Sequence, residues 1–162
     1  MPDAPTAPPT RAQRSPVAVD VSGEGTRPPL SASTVRALVR FTLERRRVRH
    51  AIISVAFVSN RRIAALHREI LGRQGTTDVI SLGFRRQSRR EPVIGDIYVA
   101  ADVVRANARV AGVPVREEAS RVVLHGLLHS LGLDHPDVSR EKSAMWRTQE
   151  RLLAHAARER VW

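Results

Sequence analysis

A cluster of three histidines in the last third of the chain constrains the fold more than any other feature. Residues 125–135 read HGLLHSLGLDH. His125 and His129 are four residues apart, so on a helix they project from one face about one turn apart. Gly132 can end that helix and reverse the chain, which would bring His135 to the same place from the side. The pattern therefore predicts a helix through His129, a turn at Gly132 and three imidazoles around one ion.

The ion that best suits this ligand set is zinc. Three neutral imidazoles satisfy zinc and leave a fourth coordination position for water. The chain has no cysteine, so a zinc site has to be built from histidine and carboxylate. We therefore predict one zinc ion per chain, bound by His125, His129 and His135. Asp134 adjoins a ligand and is a candidate to orient an imidazole by a hydrogen bond, although it could equally cap a turn.

The spacing of these histidines and of the glycine resembles the metzincin zinc-protease signature, with one difference. A zinc protease places glutamate directly after the first histidine, where the carboxylate acts as general base. Here that position is Gly126, which has no titratable group. Peptide hydrolysis by that route is therefore disfavoured.

Positive charge is concentrated in one third of the chain. The formal net charge is +11, and residues 36–90 hold 14 arginines against three carboxylates, whereas the flanking segments are balanced. Such a field attracts polyanions, and neutralised phosphates supply much of the affinity for nucleic acids. A solvated basic surface without a partner is the alternative. The chain has only six aromatic residues, so phosphate contacts rather than base stacking should dominate binding.

Apolar periodicity and turn residues predict an α+β (α/β-like) fold: a small mixed sheet of about four strands packed by helices. The strands are expected at 17–21, 52–58, 78–82 and 93–100, and the second is apolar enough to be buried on both faces. Five helices are expected, starting at Ser31 or Ser33, at Ser59 or Asn60, at Ala101, at Pro114 and at Ser139.

The length of 162 residues suits one domain. Residues 1–16 contain five prolines and no apolar period, so we expect a disordered Pro/Ala-rich tail, followed by a single domain at 17–162. No run approaches the roughly 18 apolar residues of a membrane span, and the first residues lack the apolar core of a secretory signal. The expected compartment is therefore the cytoplasm, with no membrane partner.

Several motifs together are similar to those of the YbeY endoribonucleases, zinc-dependent rRNA maturation factors. The family motif H-G-x-L-H-x-x-G-x-D-H matches residues 125–135. Upstream, Thr77-Asp-Val-Ile-Ser81 resembles the T-D-V-L-S of the family, and Gly95-Asp96-Ile97 resembles its G-D-I. Met145 and Gln149-Glu150 match the last helix. The resemblance covers about residues 17–155 and implies that the three histidines bind zinc.

The resemblance also implies a function. The expected activity is single-strand-specific, zinc-dependent endoribonuclease cleavage of precursor rRNA near the 3′ end of the small-subunit species. The partners would be RNA and the ribosome or its small subunit, with no preference for DNA. An arginine common in the family is replaced here by Leu71, and Arg73 lies two residues further on. The candidate RNA-binding residues are Arg73, Arg85, Arg86, Arg89 and Arg90.

Two other functions fit the sequence less well. One is a non-catalytic ribosome assembly factor that binds RNA and uses its zinc for structure. The other is a zinc metallopeptidase, which Gly126 and the basic charge both disfavour.

Overall fold

A computed structural model describes residues 17–84, 86–88, 90–136 and 138–162. The predicted tail at 1–16 and two of the candidate arginines, Arg85 and Arg89, lie outside the described residues. The strands are β1 (Val17–Glu24), β2 (Ala51–Val58), β3 (Val79–Phe84) and β4 (Val93–Ala100). The helices are α1 (Ala32–Arg45), α2 (Asn60–Leu71), α3 (Ala101–Ala111), α4 (Val115–Ser130) and α5 (Ala144–Arg158).

The four strands form one mixed sheet in the order β1-β2-β4-β3. β1 pairs in parallel with β2, and β2 pairs in parallel with β4. β3 lies antiparallel to β4, with Ser81 opposite Ile97, and forms one edge of the sheet. The predicted α+β fold with a mixed four-stranded sheet is confirmed.

The hydrophobic core lies mainly on one face of the sheet. There α1, α4 and α5 pack against alternate strand residues that include Ile53, Phe57 and Ile97. A smaller cluster on the opposite face includes Ile63 and Leu66 of α2, which pack with Ile80 of the sheet. The larger core holds α4 rigidly, and α4 carries the first two histidines.

The outer face of the sheet is only partly covered, which corrects the prediction that the second strand is buried on both sides. α2 covers the carboxyl-terminal end of β2, but Ile52 near its start is 51% exposed. Ile94 and Phe84, which share this row of the sheet by the strand register, are also exposed. An apolar sequence indicated burial, whereas the cluster that α2 forms on this face reaches Ala56 and Val58 of β2 and leaves Ile52 uncovered.

Most of the predicted helix starts are confirmed, and one is wrong. Ser31 and Ser59 cap α1 and α2 by accepting hydrogen bonds from backbone N–H groups three residues on. The last helix was expected from Ser139, but it begins at Ala144 with Ser143 as its cap. A separate 3-10 turn at Arg140–Lys142 precedes it, because the extended backbone of Ser143 (φ -71°, ψ 157°) interrupts the helical conformation between the two. Among the described residues, no helix is both long and apolar enough to cross a membrane.

Candidate metal centre

The helix that carries His125 and His129 approaches the sheet unusually closely. A Cβ atom on Gly126 would lie 2.7 Å from Cγ2 of Ile97 and 3.2 Å from Cγ2 of Val79. Four residues on, Ser130 lies against Gly95, where an added Cβ would be 2.7 Å from the serine side chain. Glycines on both surfaces therefore set the distance between α4 and the sheet.

A short hydrogen-bond network fixes the same helix along the edge strand. The Ser81 hydroxyl donates to the carbonyl oxygen of Gly126 at 2.6 Å, and the Ser130 hydroxyl reaches the same oxygen at 3.1 Å. Ser81 and Ser130 are also 3.0 Å apart. The motifs around Ser81 and Gly95 therefore position α4 by packing and hydrogen bonding, and they hold Gly126, the residue after His125, against the sheet.

The three predicted metal histidines meet at one point. Nε2 of His125 is 3.1 Å from Nε2 of His129 and 3.3 Å from Nε2 of His135. Zinc–nitrogen bonds of 2.0–2.1 Å in a tetrahedral arrangement separate the ligand nitrogens by about 3.3 Å. Gly132, with φ of +85°, makes the turn that returns His135 to the helix. The geometry therefore matches a group that could hold one metal ion.

The other ring nitrogen of each imidazole faces an oxygen of the protein. Nδ1 of His125 is 2.8 Å from Oε1 of Gln149, and Nδ1 of His135 is 3.0 Å from the carbonyl oxygen of Pro136. Nδ1 of His129 lies 3.8 Å from Oδ1 of Asp134. In a neutral imidazole an oxygen acceptor requires the proton to be on Nδ1, so Nε2 of His125 and Nε2 of His135 keep their lone pairs. One ring nitrogen from each of the three histidines lies within 4.8 Å of the other two, so this donor set fits a metal ion.

Gln149 is held in the orientation that His125 needs. Its side chain is 1% exposed, and its amide nitrogen donates to Oε1 of Glu150 at 3.1 Å. Glu150 in turn accepts a hydrogen bond from Nε of Arg121 at 3.0 Å. The carboxylate can only accept, so it directs the amide nitrogen outward and leaves the amide oxygen facing the imidazole. A chain of three side chains thus fixes the tautomer of one ligand.

The electrostatics of the site favour neutral imidazoles. Burial lowers the pKa of His125, with a smaller contribution in the same direction from the other two histidines. Burial and the neighbouring His135 likewise lower the pKa of His129. A metal ion competes with protons for these nitrogens, so a lowered pKa leaves both ligands ready to bind at neutral pH.

A cavity of about 630 Å³ opens in front of the histidines. The predicted candidate Arg73 lines it, together with Leu71, which occupies the position of the family's common arginine. Asp78 and Arg140 line it as well. Arg73 therefore lies where it could replace the missing arginine, whereas Arg86 and Arg90 line a different cavity.

Asp134 lies beside the site without a hydrogen bond to an imidazole. Its Oδ1 is 3.8 Å from Nδ1 of His129 and accepts the backbone N–H of His135 at 2.8 Å. The carboxylate therefore shapes the turn that presents His135. Asp96 lies on the outer face of the sheet, where the Ser54 hydroxyl donates to it at 2.6 Å.

Sequence reasoning missed two residues of the site. The sequence places Gln149 only in the last helix, although a buried amide among apolar residues signals a polar partner. Arg140 lies in a turn, and no pattern in the sequence connects it with the histidines.

Replacing Gln149 tests its role as the residue that orients His125. Gln149→Met keeps the volume and removes the acceptor, so we expect zinc affinity to fall about 10–100-fold. Gln149→Glu keeps an acceptor oxygen and should retain most of the affinity. Competition with a fluorescent zinc chelator measures both variants. Equal affinity of the methionine variant and the wild type would show that the hydrogen bond does not support the site.

Comparison with known proteins places these features in one family. The family model described as Endoribonuclease YbeY matches residues 26–157. An Endoribonuclease YbeY of Frankia alni is 32% identical over 149 residues, covering 85% of this chain and 82% of the relative. The Endoribonuclease YbeY of Bacillus subtilis is 34% identical over 129 residues, covering 74% of this chain and 82% of the relative.

A solved structure shares the fold. The solution structure of TM1509 from Thermotoga maritima superposes with a TM-score of 0.59 at 26% identity, covering 87% of this chain and 90% of that one. The match of the family model spans three of the four strands (β2, β3 and β4), the glycines that set the depth of α4 and all three converging histidines. This chain belongs to the YbeY endoribonuclease family.

Proposed function

We propose that this protein is a zinc-dependent endoribonuclease that cleaves single-stranded RNA at the site formed by His125, His129 and His135. The observation that carries the proposal is the convergence of three Nε2 atoms, with that of His125 3.1 Å and 3.3 Å from the other two, close to the ligand separation of a tetrahedral zinc site. When bound there, zinc supplies Lewis-acid polarisation of a phosphate or a water of lowered pKa.

The chain's own residues hold the substrate in this proposal. Arg73 and Arg140 line the same cavity as the histidines and can bind the phosphates that flank the scissile bond. The guanidinium of Arg140 is 5.9 Å from the ring centroid of Trp146, which limits its freedom. Asp78 and Asp134 line the cavity too, and either carboxylate can accept a proton there.

The biological substrate and setting follow from the family and the charge. We propose that the protein acts in the cytoplasm on precursor rRNA, near the 3′ end of the small-subunit species, with the ribosome or its small subunit as partner. The excess of arginines between residues 36 and 90 supports a polyanionic substrate. Recognition through phosphates predicts low sequence selectivity.

A substrate panel tests the reaction. Zinc-loaded protein is incubated with a labelled single-stranded RNA, the same RNA as a duplex, a single-stranded DNA of the same sequence and a peptide library. We expect cleavage of the single-stranded RNA alone, and none by His129→Ala, because that variant lacks a metal ligand.

Two results would contradict the proposal. Intact RNA after incubation with protein that retains stoichiometric zinc would favour a non-catalytic assembly factor. Hydrolysed peptides with intact RNA would favour a metallopeptidase.

A further inference from the structure

A second basic cavity lies at the end of the sheet where β2 and β4 begin. It has a volume of about 710 Å³. Three segments form it: the end of α1, the loop that leads into β2, and the loop between β3 and β4. The residues that line it are Arg46, Arg47, Val48, Arg49, His50, Arg86 and Arg90. The backbone N–H of Val93 donates to the carbonyl oxygen of His50 at 2.9 Å and joins the second and third segments.

The positive charge of this cavity is not neutralised within the described part of the chain. All five arginines are exposed. No carboxylate of the described residues forms an ion pair with them. Two carboxylates of neighbouring residues do not line it: Glu44 lines an adjoining cavity that shares Arg47 and Arg49, and Glu91 accepts the backbone N–H of Gln87 at 2.8 Å. Five like charges in one concavity repel one another, and a bound polyanion relieves that repulsion.

The backbone of Arg47 adds a second, independent observation. Its φ of 56° lies in the left-handed region, which costs a residue with a side chain about 1–2 kcal/mol. α2 and α3 end at Gly72 and Gly112 in the same conformation, where glycine avoids that cost. The backbone conformation at the end of α1 is therefore unfavourable for arginine. Arg47 nevertheless occupies this position, and its side chain lines the cavity.

The cavity is remote from the metal centre. The metal histidines face the start of β3, and this part of β3 pairs with the end of β4 at Ile97–Val99. The basic cavity lies at the opposite end of β4, before its first residue Val93. At about 3.3 Å per residue, the two sites are roughly 15–20 Å apart along the strands. An RNA of two or three nucleotides cannot fill both, whereas a longer strand can.

We propose that this cavity is a second RNA-binding site, which holds the phosphate backbone of the strand at a distance from the segment that reaches the metal centre. The inference rests on the proposed endoribonuclease function and names where the remainder of the substrate binds. Arginine guanidinium groups match phosphate in a bidentate geometry. The lining residues include no Phe, Tyr or Trp on which bases could stack, so recognition is of the backbone. The 16 residues before Val17 hold two arginines and one aspartate and supply no net negative charge to fill the cavity.

A pair of single substitutions separates binding from stability. Arg47→Gly removes one cation and relieves the left-handed backbone, so its melting temperature should equal or exceed that of the parent while RNA affinity falls severalfold. Arg160 also has a left-handed backbone, with φ of 55°, and does not line the cavity. Arg160→Gly is therefore the matched control, which should show the same effect on melting and an unchanged RNA affinity.

A second comparison measures the number of phosphate contacts. A quadruple variant replaces four of the cavity arginines by serine, at positions 46, 49, 86 and 90. Its control removes the same charge from exposed helix positions outside this cavity, at Arg61, Arg109, Arg151 and Arg158. For a 20-nucleotide single-stranded RNA, each lost contact should make the log–log salt slope shallower by about 0.7. The control should keep the slope of the parent.

All variants carry His129→Ala in addition, so that the RNA stays intact and binding is measured independently of cleavage. A failure of the proposed nuclease activity therefore cannot be mistaken for a failure of this site. The affinity loss should be large for the 20-nucleotide RNA and should shrink for a trinucleotide. Equal losses in the cavity and control variants, or an unchanged slope in both, would overturn the proposal. Selective loss of binding to anionic vesicles or to poly-glutamate, with RNA affinity intact, would overturn it as well.

Discussion

Replacing His125 and His129 together by alanine should lower the zinc content from about one ion per chain to near zero and reduce RNA cleavage to the level of a protein-free control. Two of the three Nε2 ligands are then gone, and one imidazole cannot hold the ion at neutral pH. Elemental analysis after dialysis measures the metal, and the labelled single-stranded RNA measures the activity. Zinc should also raise the melting temperature of the wild type and leave that of the double variant unchanged, since an ion that binds only the folded chain stabilises it.

The control for metal content is the double variant His50→Ala/His155→Ala, which removes two imidazoles outside the site. It should retain the full stoichiometry of zinc. The pH dependence gives a second test on the wild type. Because burial lowers the pKa of His125 and His129, protons should displace the metal only below pH 6.5, the ordinary imidazole value. Stoichiometric zinc in the His125→Ala/His129→Ala protein would refute the site.

The fold was predictable from the sequence wherever one local signal, an apolar run or a turn glycine, determines the structure. Apolar runs bounded by turn residues located all four strands, and Gly112 and Gly132 located two turns because both adopt positive φ. The errors arose where local preference competed with longer-range contacts. Ile52 lies in an apolar run that is typical of a buried strand. Its side chain is nevertheless exposed, because exposure at this position depends on how far α2 extends over the sheet. The start of the last helix depends on Ser143, whose extended backbone and side-chain cap no pattern of hydrophobicity encodes.

The candidate site divides in the same way. The three histidines were predictable because their spacing along one helix and one turn already places them together. Gln149, 24 residues after His125, was not, because its contact depends on the packing of α5 against α4. The basic segment was predicted as one RNA-binding region. The structure instead places Arg73 beside the metal centre and Arg86 with Arg90 at the far end of the sheet.

Gly126→Ala should destabilise the protein even though it replaces glycine in the middle of a helix. In an exposed helix this change stabilises by about 1 kcal/mol. Here the added Cβ would lie 2.7 Å from Cγ2 of Ile97, a side chain that is fully buried and cannot move aside. Overpacking of this kind costs about 1–3 kcal/mol, so the clash should exceed the gain in helix propensity. Urea unfolding of the two proteins measures the difference.

A double-mutant cycle identifies the cause. Ile97→Ala removes the methyl group that clashes, so Gly126→Ala should be less harmful, or stabilising, in that background. An equal cost of Gly126→Ala in both backgrounds would place the strain elsewhere. The control is Gly126→Ala combined with Ile80→Ala, because Ile80 packs under α2 on the opposite face and should not alter the cost.

The direction in which a side chain at position 126 would point also explains why the protein is not expected to hydrolyse peptides. A zinc protease needs a glutamate at this position to reach the metal site. In this fold the Cβ of residue 126 would point into the sheet at Ile97 and Val79, and residue 126 does not line the cavity in front of the histidines. Gly126→Glu should therefore force a carboxylate into the core and unfold the protein without creating peptidase activity, because burying an unpaired charge is costly. Circular dichroism and a peptide assay measure both effects; a folded variant that cleaves peptides would show that α4 can rotate to present this residue to the metal.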